Sequence, residues 1–147
     1  MELITTHICK GKEVGTHGNI FGGILLSLID EGSGAYASQI CDTPRMVTVK
    51  IDELIFKKAV KVGNIIKLYG KVVEFGNTSI TLYVELRKHN VYTGEQEIVL
   101  HTNIKFVRID DEGNSIPISE RVKVRYYERL EKYNKGLLTM EERISEK

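Results

Sequence analysis

Hydrophobic residues recur with a helical period between residues 24 and 40. Their spacing follows the i, i+3, i+4, i+7 pattern of one helix face. The positions in this stripe are Leu25, Leu28, Ile29, Gly32, Tyr36 and Ile40. Asp30 falls on the flank of the stripe, beside Leu26 and Ala37. The pattern therefore predicts a long helix with one buried face and the Asp30 carboxylate at the margin of that face.

Glycine is concentrated at the entry to this helix and occurs again inside it. Gly22 and Gly23 leave unpaired backbone N–H groups at the positive end of the helix dipole, with no side chains to block approach. Such an end can hold a phosphate or a developing oxyanion. Gly32 and Gly34 each cost about 1 kcal/mol relative to alanine in a helix interior. They indicate that a sheet, a partner helix or a ligand approaches the backbone closely.

After the predicted helix, the hydrophobic period becomes two. Val47, Val49 and Ile51 form the apolar face of a half-buried strand, and a slip of the alternation predicts a bulge near Asp52 and Glu53. Further strands are predicted at residues 65–75, 78–90 and 98–106, and a short first strand at residues 3–9.

Each predicted strand has one apolar face, and the helix stripe is the only long apolar surface that can cover the resulting sheet. The sequence therefore predicts an α+β fold in which a strongly curved antiparallel sheet wraps one long helix. After Pro117 the chain becomes charged and aromatic. A short helix is predicted at 126–134, stopped by Gly136, and a capping box at 139–142. We divide the chain into a domain at 1–118 and a charged helical extension at 119–147.

Composition narrows the class of protein. The chain has 147 residues, a formal net charge of +1, 41% hydrophobic and 28% charged residues. These values fit one globular domain and argue against a general nucleic-acid binder. The sequence has no recognisable signal peptide and no run long enough to insert in a membrane, so we expect a cytoplasmic protein. Cys9 and Cys41 are expected to be buried or half-buried thiols, and the histidines lack metal-ligand spacing, so no metal is expected.

Five separated motifs occur in one order along the chain. They are Gly18-Asn19-Ile20-Phe21-Gly22-Gly23, Leu25-Leu26-Ser27-Leu28-Ile29-Asp30-Glu31, Val47-Thr48-Val49, Val62-Gly63-Asn64 and Gly76-Asn77-Thr78-Ser79. Together they resemble the bacterial acyl-CoA thioesterases of hotdog fold, over roughly residues 3 to 110. The resemblance implies a long helix wrapped by about five or six strands, and a homodimer that often assembles into a trimer of dimers.

The resemblance also implies an activity, which is hydrolysis of fatty acyl-CoA at a site between subunits. Asp30 would be the catalytic helix carboxylate, and coenzyme A would be part of the substrate, with no other cofactor. The family commonly has asparagine three residues before the first glycine of the motif, where this chain has Gly15. His17 or Asn19 would then supply the missing polar group, or water would be positioned differently.

The chemistry assigns further roles around Asp30. Asp30 would act as general base on water or as nucleophile, while Gly22 and Gly23 would bind the thioester oxygen. Coenzyme A would be held by a strand edge, by a turn suited to phosphate and by a lysine. These residues are Val47, Thr48, Val49, Gly76, Asn77, Thr78, Ser79 and Lys58.

Each of these roles has a plainer alternative. Asp30 could be an ordinary solvated carboxylate, His17 and Asn19 loop residues bonded locally, the turn a simple hairpin and Lys58 a surface charge. Two other functions also fit the pattern. One is a non-catalytic module that binds or senses acyl-CoA. The other is a hotdog dehydratase, which would use a histidine base such as His17.

Overall fold

The computed structural model describes residues 1–135 of the chain. Five strands and two α-helices form the fold, and a 3-10 turn at Gly11–Glu13 follows the first strand. In chain order the elements are β1 (Glu2–Ile8), α1 (Gly22–Cys41), β2 (Met46–Ile51), β3 (Ile65–Phe75), β4 (Ser79–His89), β5 (Gln96–Arg108) and α2 (Glu120–Asn134). The strands form one sheet in the order β1-β3-β4-β5-β2, and every neighbouring pair is antiparallel. The predicted α+β fold is confirmed.

The apolar stripe of α1 lies on the sheet. Leu25, Ile29, Tyr36 and Ile40 are buried, as the helical period predicts. The interior glycines are explained by the sheet. A Cβ atom on Gly32 would lie 2.7 Å from a Leu68 methyl carbon, and one on Gly34 would lie 3.6 Å from the Phe106 ring. A larger residue at Gly32 would push α1 away from β3.

Strand β2 differs from the prediction in where its bulge lies. The register against β5 shifts between Thr48 and Lys50, so Val49 is the extra residue, and the strand ends before Asp52. Because of this bulge, Val49 does not share the buried face with Ile51. Val47 and Val49 are exposed, 38% and 53% respectively, whereas Ile51 pairs with the buried Ile104 and is half-buried. The prediction of one apolar face through Val47, Val49 and Ile51 is therefore wrong.

The second helix begins at Glu120, six residues before the predicted start at Tyr126. Its buried residues are Val122 and Tyr126, and the Tyr126 hydroxyl accepts a hydrogen bond of 3.2 Å from the backbone N–H of Val72. Arg125 ties the helix to the C-terminal end of α1. The predicted stop at Gly136 and the capping box at 139–142 lie outside the described residues.

Within residues 1–135, no helix is both long enough and apolar enough to cross a membrane.

Candidate active site

The carboxylate of Asp30 lies against the hydroxyl of Thr48. Thr48 Oγ1 donates a hydrogen bond of 2.6 Å to Asp30 Oδ1, which joins the middle of α1 to β2. The other carboxylate oxygen, Oδ2, has no hydrogen-bond partner among residues 1–135. Both side chains are exposed on the single chain. The structure thus holds one oxygen of Asp30 in place and leaves the second open to a ligand or water.

The register of β2 explains why Thr48 faces the helix. Thr48 pairs with Phe106 of β5, whose ring is 1% exposed and contacts α1 at Gly34. Residues paired across neighbouring strands point to the same face of a sheet, so the Thr48 side chain projects towards α1. The bulge at Val49 then restores Ile51 to that face. The contact with Asp30 depends on this register.

Gly22 and Gly23 are the first two residues of α1, and Phe21 is its N-cap. Within the described chain, the N–H groups of Gly22 and Gly23 have no hydrogen-bond partner. Two phenylalanine rings flank these glycines. A Cβ atom on Gly22 would lie 3.4 Å from the Phe56 ring, and one on Gly23 would lie 2.7 Å from the Phe21 ring. Phe21 and Phe56 are 64% and 51% exposed, so an apolar rim surrounds two open backbone donors.

His17 and Asn19 lie in the loop before α1, and their surroundings differ. Asn19 is half-buried, and its Oδ1 atom accepts a hydrogen bond of 3.0 Å from Lys61 Nζ. A backbone bridge also joins Asn19 to Lys61. His17 is exposed at the outer end of the loop. Asn19 thus has a structural partner, and His17 is the more available of the two.

Most of the predicted coenzyme A contacts lie at one end of the sheet. Val47 of β2 pairs with Val107 of β5, which also pairs with Ser79 of β4. Two strand spacings, about 10 Å, therefore separate Val47 from Ser79. β2 is an outer strand, with β5 its only neighbour in the described sheet. Lys58 is exposed on the segment between β2 and β3 and lies away from these residues. The N–H of its neighbour Lys57 donates to the carbonyl of Val99, eight residues along β5 from Val107.

The turn from Gly76 to Ser79 is less open than the sequence suggested. The N–H of Gly76 donates to the carbonyl of Ser79 at 2.8 Å. The carbonyl groups of Asn77 and Thr78 accept hydrogen bonds from Ile118 and Arg108 respectively. The expectation of a turn suited to phosphate is therefore wrong for the Gly76 N–H, although the Thr78 and Ser79 hydroxyls remain suitable donors.

The family model of the thioesterase superfamily matches residues 17–95, which include α1, β2, β3 and β4. The chain belongs to the thioesterase superfamily. Among named relatives, an uncharacterised acyl-CoA thioester hydrolase of Haemophilus influenzae is 30% identical over 77% of this chain and 75% of its own. The acyl-CoA thioester hydrolase YciA of Escherichia coli is 29% identical over 76% of this chain and 86% of its own.

Solved structures carry the same fold as this thioesterase-superfamily chain. A hexameric hotdog fold thioesterase of Campylobacter jejuni is 33% identical, with a TM-score of 0.75 over 86% of this chain and 97% of its own. A hexameric thioesterase of Yersinia pestis is 28% identical, with a TM-score of 0.75 over 81% of this chain and 96% of its own. The predicted hotdog fold and family are confirmed.

Sequence reasoning on this thioesterase-superfamily chain missed two contributions. It assigned Thr48 to coenzyme A through its backbone and did not foresee the hydroxyl contact with Asp30. It also gave Phe56 no role in the site, whereas the ring packs beside Gly22. The alternation of apolar and polar residues along β2 could have placed Thr48 on the face towards α1 only if the bulge at Val49 had been known. No local signal placed Phe56 beside the helix start, because that contact joins residues distant in sequence.

The two cysteines are unsuited to act as nucleophiles in this superfamily member. Both thiols are buried. Burial raises the pKa of Cys41 to about 11, and burial likewise raises the pKa of Cys9. Both are therefore protonated thiols at neutral pH. Among residues 1–135, no group of three histidine, cysteine or acidic side chains is arranged to bind a metal ion.

Proposed function

We propose that this enzyme hydrolyses fatty acyl-CoA to a free fatty acid and coenzyme A, with Asp30 as its catalytic residue. The observation that carries the proposal is the hydrogen bond between Thr48 and Asp30. It orients the carboxylate through Oδ1 and leaves Oδ2 as an acceptor on an exposed surface. A thioester hydrolase needs such an oriented base or nucleophile, and relatives with this fold are named as acyl-CoA thioester hydrolases.

Asp30 can serve in either of two ways. As general base, Oδ2 takes a proton from water while the water oxygen bonds to the thioester carbon. The carbon–sulfur bond then breaks, coenzyme A leaves as thiolate and accepts a proton, and the fatty acid is released. As nucleophile, Oδ2 attacks the thioester carbon directly and expels the thiolate, and water hydrolyses the resulting anhydride.

The thioester oxygen would be bound by the N–H groups of Gly22 and Gly23. Gly23 and Asp30 are seven residues apart, about 10 Å along one helix. The first N–H groups of a helix point along its axis and away from its body, so those of one chain point away from its own Asp30. We therefore propose that a second copy supplies the glycine donors for each Asp30. A homodimer, repeated as a trimer of dimers, would meet this need, and the two solved structures described above are hexameric thioesterases.

Coenzyme A would lie along the β2 end of the sheet. The pantetheine arm would hydrogen-bond to the backbone of Val47–Val49, where a second copy does not cover it. The Thr78 and Ser79 hydroxyls would bind phosphate, whereas Lys58 lies near the opposite end of β5. The exposed rings of Phe21 and Phe56 would exclude bulk water around the thioester at the helix start, apart from the water that reacts.

The test is thiol release from a panel of acyl-CoAs of different chain length, by wild type, Asp30→Asn and Glu31→Gln. We expect Asp30→Asn to lower kcat by at least about 1000-fold, because the amide neither accepts a proton nor attacks the thioester. Glu31→Gln makes the same chemical change at the next residue and should retain turnover. If the wild type hydrolyses no member of the panel, or if Asp30→Asn hydrolyses as fast as wild type, the proposal is wrong.

The same panel separates the two rival functions. A sensor would bind acyl-CoA without releasing thiol, and Asp30→Asn would leave its binding unchanged. A dehydratase would depend on His17 and remove water from hydroxyacyl thioesters. A His17→Ala variant with full thioesterase turnover would exclude that role for His17.

A further inference from the structure

A buried carboxylate lies on the loop that leads to the helix start. Glu13 is 9% exposed, and both of its carboxylate oxygens lie 2.9 Å from Nε2 of His7 on β1. Its Oε1 atom also accepts a hydrogen bond of 2.8 Å from the backbone N–H of Lys10. The Lys10 hydrogen bond and then His7 hold the pKa of Glu13 below its ordinary value, so it is ionised at neutral pH. The proposed chemistry makes no use of this group.

The backbone of Glu13 is bonded to the first residue before α1. Its carbonyl oxygen accepts a hydrogen bond of 2.8 Å from the N–H of Phe21, the N-cap that precedes Gly22 and Gly23. A bridge between Val14 and Ile20 closes the loop just beyond this bond. Glu13 and Phe21 thus form the base of a loop that ends in the glycine N–H groups.

The side chain of Glu13 connects that base to the sheet. His7 belongs to β1, where it pairs with Ile66 of β3, so its backbone is fixed by the sheet. The His7–Glu13 contact therefore runs from the sheet, through the Glu13 backbone, to the N-cap of α1. Donors that bind a developing oxyanion must be held within about 0.5 Å of their productive position. A misplacement of 1 Å can cost about 100-fold in rate.

We infer that Glu13, held by His7, is a positioning residue that sets the place of the Gly22 and Gly23 N–H groups during thioester hydrolysis. The inference rests on the proposed function, because it gives those N–H groups their role. It does not require Glu13 or His7 to touch the substrate. Loss of the carboxylate should therefore lower kcat more than it changes KM, because the oxyanion forms only in the transition state.

The experiment compares wild type with Glu13→Ala, Glu13→Gln and the control Glu85→Ala. Glu85 is matched to Glu13 because it is 7% exposed and its carboxylate also has two hydrogen-bond partners, Tyr83 and Arg87. It lies in the middle of β4, and its loss should leave kcat within about twofold of wild type. Thiol release gives kcat and KM, and hydrogen–deuterium exchange reports on residues 14–23.

Glu13→Ala should lower kcat by about 100-fold with KM within about threefold, and should speed exchange across residues 14–23. Glu13→Gln should recover most of kcat, because its amide oxygen still accepts the Lys10 N–H. Should Glu13→Ala fail to fold, His7→Ala removes the sheet contact alone and should give a smaller loss of kcat with the same faster exchange.

Three results would overturn the inference. One is unchanged kcat in Glu13→Ala or, where that variant does not fold, in His7→Ala. Another is an equal loss of kcat in Glu85→Ala, which would indicate a general effect of removing a buried carboxylate. The third is unchanged exchange at residues 14–23. A wild type without thioesterase activity would instead refute the proposed function, and the exchange measurement would still test the contact.

Discussion

At the scale of single residues, position 15 separates this chain from the pattern that its motifs resemble. That pattern has asparagine where the chain has Gly15. A Cβ atom at Gly15 would have one neighbour within 4 Å, the carbonyl oxygen of Asn19 at 3.9 Å. The backbone of Gly15 is not in the left-handed region, so a side chain there is not strained. Space and conformation both permit asparagine.

We predict that Gly15→Asn raises kcat for acyl-CoA hydrolysis by about tenfold, because an added amide on the loop before α1 can orient water or the thioester carbonyl. Thiol release measures the change. Thr16→Asn is the control, since it places the same amide one residue away on the same exposed loop. If Gly15→Asn has the turnover of wild type or less, the polar group comes from elsewhere, and His17 is the next residue to test.

The residue-scale site could be predicted only in part. The helical period placed Asp30 at the margin of the buried stripe, and the structure shows it exposed there with Thr48 as partner. The Thr48 contact joins residues eighteen apart in the chain. It depends on a bulge of one residue, and alternation alone does not locate a bulge because several apolar positions satisfy it equally.

At the scale of elements, α2 forms a hydrogen bond with strand β3 beside a bulge in that strand. The register of β3 against β4 shifts between Val72 and Glu74, which makes Val73 a bulge residue. The N–H of Val72 beside this bulge donates to the Tyr126 hydroxyl of α2. The Tyr126 ring also packs at an edge against Phe75, with centroids 5.9 Å apart. The second helix is therefore bonded to the sheet at a point where the β-ladder is interrupted.

We predict that Tyr126→Phe lowers the free energy of unfolding by about 1 to 2 kcal/mol, because it removes the acceptor and leaves the Val72 N–H without that bond. Urea unfolding followed by circular dichroism measures it. Tyr127→Phe is the matched control on the same helix, since Tyr127 is 52% exposed and also contacts Phe75. Equal losses in the two variants would show that the Val72 bond contributes nothing specific.

Elements with a long, regular period could be predicted from the sequence, and those shaped by tertiary contacts could not. The periods of α1 and β4 extend over many residues and predicted both elements closely. The first turns of α2 carry Arg121, Lys123 and Arg125, and in the sequence these charges indicate a connecting segment and not a helix. In the structure Arg121 and Arg125 form ion pairs with Asp42, which follows α1. The early start of α2 is therefore accompanied by a contact with a residue distant in sequence.

At the scale of the whole molecule, two buried carboxylates make stability depend on pH. Glu13 joins β1 to the loop before α1, and Glu85 lies in β4 among Tyr83 and Arg87. The Lys10 N–H and then His7 lower the pKa of Glu13. Burial alone would raise the pKa of Glu85, but hydrogen bonds from Tyr83 and Arg87 outweigh it and the pKa is lowered. Both groups thus bind protons more weakly in the folded chain than in the unfolded chain.

We predict that the free energy of unfolding does not change through these two groups above their ordinary pKa of 4.5, and falls as pH drops below it. The sign follows because the unfolded state binds more protons in that range, so protonation favours unfolding. Urea unfolding midpoints measured from about pH 7 to pH 3.5 at constant ionic strength test this. Because glutamine does not titrate, a Glu13→Gln, Glu85→Gln double variant should show a shallower decline. A decline as steep as that of wild type would assign the acid sensitivity to other carboxylates. It would show that the contacts of Glu13 and Glu85 do not make the free energy of unfolding depend on pH.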